Sequence, residues 1–171
     1  MPIRARKAGD MPGCVTLLRT VHEVSGYPSV WPQDPAGWLA PVSLVAAWVA
    51  ETGGLISGHV ALVQGAPARC LLRATGRDAD QLGRIVRLFV DPAARRQGLA
   101  RGLLEAATAQ AREHGLQPVL NVMADGHAAI ALYERYGWKL AGIQPATWTT
   151  PDGVAPMMRY YVGPTGSKIC P

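Results

Sequence analysis

Residues 90–104 read Val90-Asp91-Pro92-Ala93-Ala94-Arg95-Arg96-Gln97-Gly98-Leu99-Ala100-Arg101-Gly102-Leu103-Leu104. A mostly apolar strand, Gly83 to Val90, is stopped by Asp91-Pro92, because proline has no N–H to give to a ladder. A short loop then carries two arginines and a glycine, and an amphipathic helix begins at once. Leu99, Leu103, Ala106, Ala107 and Ala111 keep helical spacing as far as Glu113, and Gly115 ends the run. A helix N-terminus offers unpaired N–H groups and the positive end of its dipole, and both suit a phosphate. Gly98 lets the backbone approach a ligand closely, small Ala100 keeps the next turn open, and Arg95, Arg96 and Arg101 add charge around it. The loop lacks the Gly-Lys-Ser/Thr ending of a Walker sequence and is not a dinucleotide Gly-x-Gly-x-x-Gly. The segment therefore reads as a phosphate cradle of another kind, between a buried strand and a helix.

Working outward from it, the pattern predicts an α/β domain. Ile3 to Lys7 alternates as a short strand, and Asp10 is placed to cap a helix from Met11 through Val24, with Pro12 in its first turn. Ser25 to Pro41 is broken by Gly26, Pro28, Pro32, Pro35 and Gly37, so it reads as an aromatic-bearing loop with one helical turn. Leu44–Glu51 and Leu55–Val63 are two strands joined by Thr52-Gly53-Gly54, a hairpin turn. A loop over Thr75–Gln81 leads to the strand before the cradle. Beyond the cradle helix come a buried strand at Val119–Met123 and a second helix marked by Ala129, Ile130, Leu132, Tyr133 and Tyr136. Two β-rich stretches, around Trp138–Trp148 and Met157–Val162, follow on either side of the turn Pro151-Asp152-Gly153. The order β-α-β-β-β-α-β-α-β-β implies a mixed sheet flanked by helices, one domain over residues 1–163 with a loose tail over 164–171.

Composition narrows the class. With 171 residues, 49% hydrophobic and 17% charged, the chain has the makings of a core and is not a disordered sequence. The longest apolar stretch, Val42 to Ala50, is interrupted by Ser43 and too short to span a bilayer, and Met1 to Lys7 has no apolar core after its basic residues. Three cysteines without metal-like spacing (Cys14, Cys70, Cys170) point to a reducing, cytoplasmic setting with neither a disulfide framework nor a metal site. The net charge of +5 comes mostly from arginine, 14 against 3 lysines. Only Arg95 and Arg96 are adjacent, and no aromatic residues alternate with basic ones, so a nucleic-acid surface is not expected and a phosphorylated small ligand is.

At this point the chain resembles the GCN5-related N-acetyltransferase (GNAT) superfamily. Its cofactor signature, Arg/Gln-x-x-Gly-x-Gly/Ala, is matched by Arg95-Arg96-Gln97-Gly98-Leu99-Ala100, and Ala129-Ile130-Ala131-Leu132-Tyr133-Glu134-Arg135-Tyr136-Gly137-Trp138 resembles the second signature. The hairpin end Gly58-His59-Val60-Ala61-Leu62 is also similar to family members. The resemblance covers nearly the whole chain and implies a mixed, mostly antiparallel sheet of about seven strands. It implies acetyl-CoA as cosubstrate and an amine as acceptor, with no nucleic-acid or membrane partner, and a homodimer. Leu88, Phe89 and Val90 would pair through their backbone with the pantetheine arm, and the amide of Val90 or Phe89 would face the oxyanion. Arg95, Arg96, Gln97, Gly98, Leu99, Ala100 and Arg101 would hold the pyrophosphate. Tyr133 would be the catalytic acid, since a phenol of pKa about 10 is well matched to a departing thiolate.

Three points stay open in the sequence. The strand Arg84 to Leu88 has no glutamate to act as base, which leaves His22, Glu23, His59 or a water chain. The family often has an asparagine seven residues before the tyrosine; here that position is Gly126, flanked by Asp125, read foremost as a helix cap, and His127. The acceptor is first a small amine, amino-acid-like or antibiotic-like, lined by the first helix and the Tyr27–Trp38 loop. A protein N-terminus or lysine is the alternative, and a non-catalytic acyl-CoA sensor a more distant one.

Overall fold

The computed structural model describes residues 2–65 and 68–165. Its elements are β1 (Ile3–Ala5), α1 (Met11–Ser25), α2 (Pro35–Leu39), β2 (Leu44–Thr52), β3 (Leu55–Gln64), α3 (Arg69–Thr75), β4 (Leu82–Val90), α4 (Leu99–Glu113), β5 (Gln117–Met123), α5 (His127–Arg135), β6 (Lys139–Pro145) and β7 (Met157–Val162). The strands form one seven-stranded sheet in the order β1-β2-β3-β4-β5-β7-β6. β4 and β5 are parallel, whereas β1–β2, β2–β3, β5–β7 and β6–β7 are antiparallel. The expected α/β class, a mostly antiparallel seven-stranded sheet flanked by helices, is thus the fold adopted. Two compact units divide the chain: Met1–Val63 with Ile85–Gln110, and Gln64–Arg84 with Ala111–Pro171.

In the first unit, α1 buries Cys14, Leu17, Leu18 and Val21 against Leu39, Val49 and Phe89, with Tyr27, Trp31 and Trp38 packed at the margin. The apolar residues recur three and four apart, so one stripe of α1 faces the sheet. α4 covers β3 closely: a Cβ at Gly58 would stand 2.8 Å from Leu103 Cδ1. The β2–β3 hairpin turns at Gly53 and Gly54, both at positive φ (58° and 80°), as its two-residue connection requires. Cys14 is fully buried, and its desolvated thiol is pushed up to about 11.

In the second unit, Leu71 of α3 packs on Leu82, Val119, Met158 and Tyr160. β7 lies between β5 and β6, with Val119↔Val162 and Lys139↔Val162 at one end of the register. β4 and β5 share three pairs, Leu82↔Gln117, Gly83↔Pro118 and Arg84↔Val119. α5 lays Tyr133 against Trp138 and Tyr161, each ring pair 6.1 Å apart.

The structure departs from the sequence reading at three local points. Asp10 makes no side-chain cap for α1. Its carboxylate instead accepts from Arg4 Nη1 at 2.7 Å and from the Lys7 amide at 2.6 Å, and Arg4 holds it down at about 2. Asp125 does not cap α5 either, since the N-cap is Gly126. A helix at Arg69–Thr75, where the sequence shows no capping residue, forms through the packing of Leu71. Six residues of the expected tail, 166–171, lie outside the described residues; ahead of them, the Pro164 carbonyl accepts from Arg112. Among the described residues, no helix is long and apolar enough to cross a membrane.

Candidate active site

The cradle lies wholly within the first unit. The end of β4 is pinned by the Asp91 amide, which donates to Ser57 O at 2.9 Å. Asp91 then organises the turn that follows, accepting from the Ala93 amide on Oδ1 and from the Ala94 amide on its carbonyl, each at 2.9 Å. Arg95 is extended, whereas Arg96 and Gly98 take positive φ values of 65° and 78°. A non-glycine residue at such a φ is uncommon, and its presence marks a loop shaped by something other than local preference. Gly102 N donates to Gly98 O at 3.0 Å, so α4 starts on Gly98 and the Leu99 and Ala100 amides precede the helical ladder. Arg95, Arg96, Gln97 and Gly98 are all exposed, and nothing stands within 4 Å of a Cβ built on Gly98.

The three arginines differ in what holds them. Arg95 Nη2 donates to Ser25 Oγ at 2.6 Å, which ties the loop to the end of α1. Arg101 Nε donates to Glu105 at 2.7 Å in an i,i+4 pair. Arg96 makes no hydrogen bond or ion pair among the described residues. The open space at Gly98, the leading amides of a long helix and a free guanidinium fit a doubly charged pyrophosphate.

Behind the loop, β4 is anchored by a chain of polar contacts. Arg87 sits at φ 55°, and its carbonyl accepts from His59 Nδ1 at 2.9 Å. With Nδ1 carrying the proton, His59 Nε2 accepts from Arg6 Nη1 at 2.8 Å, and that nitrogen also donates to Leu39 O at 2.8 Å. Both ring nitrogens are taken, so His59 has no lone pair left for an acceptor's proton. Desolvation, with Arg6 and Arg87 close by, lowers His59 to about 4 and keeps it neutral. Its ring stacks on Phe89 at 5.1 Å. Sequence reading named His59 as one candidate base; the structure assigns it to the scaffold.

The loop before β2 supplies the aromatic wall. Trp38 lies under the Arg87 guanidinium, 4.0 Å from carbon to ring centre, and its carbonyl accepts from Arg87 Nε at 3.3 Å. Tyr27 meets Trp38 at 6.1 Å and Phe89 at 6.3 Å, and burial pushes its hydroxyl up to about 12. His22 Nδ1 donates to Pro28 O at 2.7 Å, a tautomer that leaves Nε2 able to accept. The His22 ring lies 5.3 Å from Trp31, and the Arg19 guanidinium stands 4.8 Å over that same indole. Glu23 is exposed.

In the second unit, Tyr133 is 7% exposed on the face of α5 that meets Trp138 and Tyr161. The next residue, Glu134, accepts from Tyr161 Oη at 2.8 Å. Gly126 explains the departure from the family pattern: a Cβ there would stand 3.0 Å from Val122 Cγ2 and 3.1 Å from the Met123 carbonyl. An asparagine there would need the Val122 side chain and the Met123 carbonyl to give by a few tenths of an ångström. Asp125 and His127, on either side, are exposed.

Leu88 through Arg101 are thus brought together in one stretch of the first unit, and Tyr133 belongs to the second. Sequence reasoning missed the Arg6–His59–Arg87 chain and the condition of Arg84. Arg84 is half-buried on β4, and its Nε is buried without a hydrogen-bond partner. The only sequence sign of either was a charged residue inside an apolar strand.

The ribosomal protein bS18-alanine N-acetyltransferase of Escherichia coli K12 is 42% identical over 67 residues, 39% of this chain and 45% of that protein. The chain therefore aligns with less than half the length of that curated relative. The solved ribosomal-protein-alanine N-acetyltransferase of Brucella melitensis superposes with a TM-score of 0.73 at 20% identity, over 95% of this chain and 98% of its own. The structure of yncA from Salmonella typhimurium, with its cofactor acetyl-CoA, gives 0.70 at 17% identity, over 99% and 96% of the two chains. These two likenesses are of fold. The profile of the acetyltransferase (GNAT) family matches residues 16–138, most of the sequence and both signature segments, and the chain belongs to that family of N-acetyltransferases.

Proposed function

We propose that the protein transfers the acetyl group of acetyl-CoA to the primary amine of a small acceptor, amino-acid-like or antibiotic-like, by direct attack. The observation that carries this reading is the exposed Arg95–Gly98 loop, whose two positive-φ residues and unpartnered Arg96 open onto the start of α4. Arg95, Arg96, Gln97 and the amides from Gly98 to Ala100 hold the pyrophosphate, and Arg101 adds charge from the first turn. Leu88, Phe89 and Val90 align the pantetheine arm through their backbone, with the Val90 or Phe89 amide donating to the oxyanion. The amine nitrogen bonds to the thioester carbonyl carbon and the carbon–sulfur bond breaks. Tyr133 gives its phenolic proton to the departing thiolate. The amine's proton leaves through His22, Glu23 or water; with Nδ1 of His22 donating to Pro28 O, its Nε2 is able to accept.

A second reading has an observation of its own: the 67-residue match is to an enzyme named as an alanine N-acetyltransferase of ribosomal protein bS18. A protein N-terminus is then the acceptor. A screen that follows CoA thiol release with small amines and with short peptides bearing a free N-terminus separates the two. Thiol release from neither set, with acetyl-CoA bound, would leave a non-catalytic acyl-CoA sensor. The proposal includes a cytoplasmic homodimer, and a monomer mass by light scattering at micromolar concentration would remove the dimer.

A further inference from the structure

Tyr133 stands in the last turn of α5, a helix of nine residues that ends at Arg135 and whose N-cap, Gly126, has no side chain to cap it. So short a helix is marginal alone, and packing against the sheet decides where the Tyr133 ring stands. Tyr161 of the same unit supplies that packing. It is fully buried on β7, in register with Leu120 of β5 on one side and Leu140 of β6 on the other. Its ring lies 6.1 Å from that of Tyr133, tilted by 51°.

The same side chain meets α5 a second time. Tyr161 Oη donates to Glu134 Oε1 at 2.8 Å, a hydrogen bond strengthened by the charge of its acceptor. Glu134 follows Tyr133 in the chain, so the contacts close on themselves. They run from the Tyr133 ring to the Tyr161 ring, through the hydroxyl to the carboxylate, and back along one peptide bond. Arg159, also on β7, braces the closure, its Nη1 donating to Tyr161 Oη at 3.3 Å and to Glu134 Oε1 at 3.5 Å. The Glu134 side chain is 51% exposed, so water could solvate it. Turned in to Tyr161 instead, it ties the one helical turn that carries Tyr133 to the middle of a three-stranded stretch of sheet. Ring packing alone limits the distance of that turn from β7; the added hydrogen bond on the next residue limits its rotation as well.

We infer that Tyr161 and Glu134 position Tyr133, their hydrogen bond holding the last turn of α5 so that the phenol is presented to the departing thiolate in one orientation. The inference rests on the reading of Tyr133 as the catalytic acid and adds two positioning residues to it.

The test is a double-mutant cycle on CoA thiol release with an accepted amine. It compares wild type, Tyr161→Phe, Glu134→Ala and Glu134→Gln, each alone and combined with Tyr133→Phe. Tyr161→Phe keeps the ring and is expected to lower kcat about 10-fold, inside the roughly 10²-fold that an ångström of misplacement can cost. Glu134→Ala changes the exposed end of the bond, leaves the core untouched and shows the same loss. Glu134→Gln still offers an oxygen to Tyr161 and recovers most of it. The KM for acetyl-CoA holds throughout. With Tyr133→Phe already present, neither Tyr161→Phe nor Glu134→Ala costs anything further, because no phenolic proton is left to aim.

Equal losses with and without the Tyr133 hydroxyl would make the pair structural and overturn the inference, leaving Tyr133 as the acid. So would undiminished turnover in Tyr161→Phe or Glu134→Ala, a Glu134→Gln enzyme no better than Glu134→Ala, or a raised acetyl-CoA KM. Near-normal turnover in Tyr133→Phe alone would remove the acid and with it anything for the pair to position. No thiol release from any amine by wild type would end both.

Discussion

Arg6, just past β1 in the first unit, and Arg84, on β4 in the second, are half-buried arginines whose proton affinity desolvation lowers. Arg6 gives one nitrogen to both Leu39 O and His59 Nε2, at 2.8 Å each, and so belongs to a closed chain ending at the Arg87 carbonyl. Arg84 has its Nε buried with nothing to donate to. A polar group that its own chain satisfies is scaffold, since its partners would be orphaned by any change. One left unsatisfied is either a defect or a waiting site. Arg96, exposed and without a partner among the described residues, is open to a ligand, and His59 belongs to the scaffold with Arg6.

The contrast breaks most visibly at Gly98. Gly98→Asp puts a carboxylate into the open cradle, and calorimetry is expected to show no CoA binding to a folded protein. Gly98→Ala, strained equally by the φ of 78° but uncharged, keeps most of the affinity. Unchanged affinity in the aspartate variant would move the pyrophosphate elsewhere. Next in size is Tyr133→Phe, which keeps the ring between Trp138 and Tyr161 and removes only the hydroxyl. Turnover of an accepted amine should fall about 10²- to 10⁴-fold, with acetyl-CoA KM and melting temperature little changed. Near-normal turnover would return Tyr133 to packing.

On the scaffold side, His59 titrates near 4 in the folded chain against 6.5 when free. The unfolded chain therefore takes up the proton first. Stability is complete above pH 6.5 and declines as the pH drops toward 4, by about 3 kcal/mol at roughly 1.4 kcal/mol per unit. Denaturant unfolding across that window should show the slope in wild type and a flatter one in His59→Gln, which can still donate to Arg87 O and accept from Arg6. Matching slopes would clear His59 of the role. The smallest effect belongs to Arg101, already engaged with Glu105. Arg101→Gln should weaken CoA binding roughly threefold in low salt and less at physiological salt, as a screened surface charge does. A loss on the scale of Gly98→Asp would place Arg101 inside the cradle.

The parts of the fold legible in sequence are those that local chemistry decides. Pro92 ends a strand, Gly98 opens a helix, Gly53-Gly54 turns a hairpin, and the proline-broken Ser25–Pro41 stretch holds one short helix, α2. The illegible parts are set at a distance. Asp10 looks like a cap until Arg4, across the turn, takes its carboxylate. α3 lacks a side-chain cap and exists because Leu71 finds the sheet. At the site, Arg95 to Gly98 are contiguous and so could be read in order. The links from residue 6 to 59 to 87 join three separate segments, and no spacing announces them. The lack of a partner at Arg84 is a property of its surroundings, which no string of letters carries.

Burial of the Cys14 sulfur has a practical meaning for the bench. A thiol held near 11 is about one part in ten thousand thiolate at neutral pH, and only the thiolate attacks a chromogenic disulfide. Colour released when acetyl-CoA is consumed therefore stands above a protein whose first cysteine stays dark as long as α1 is packed. The same reagent then times the opening of the chain, because Cys14 reacts at the rate at which α1 comes away from Leu39, Val49 and Phe89.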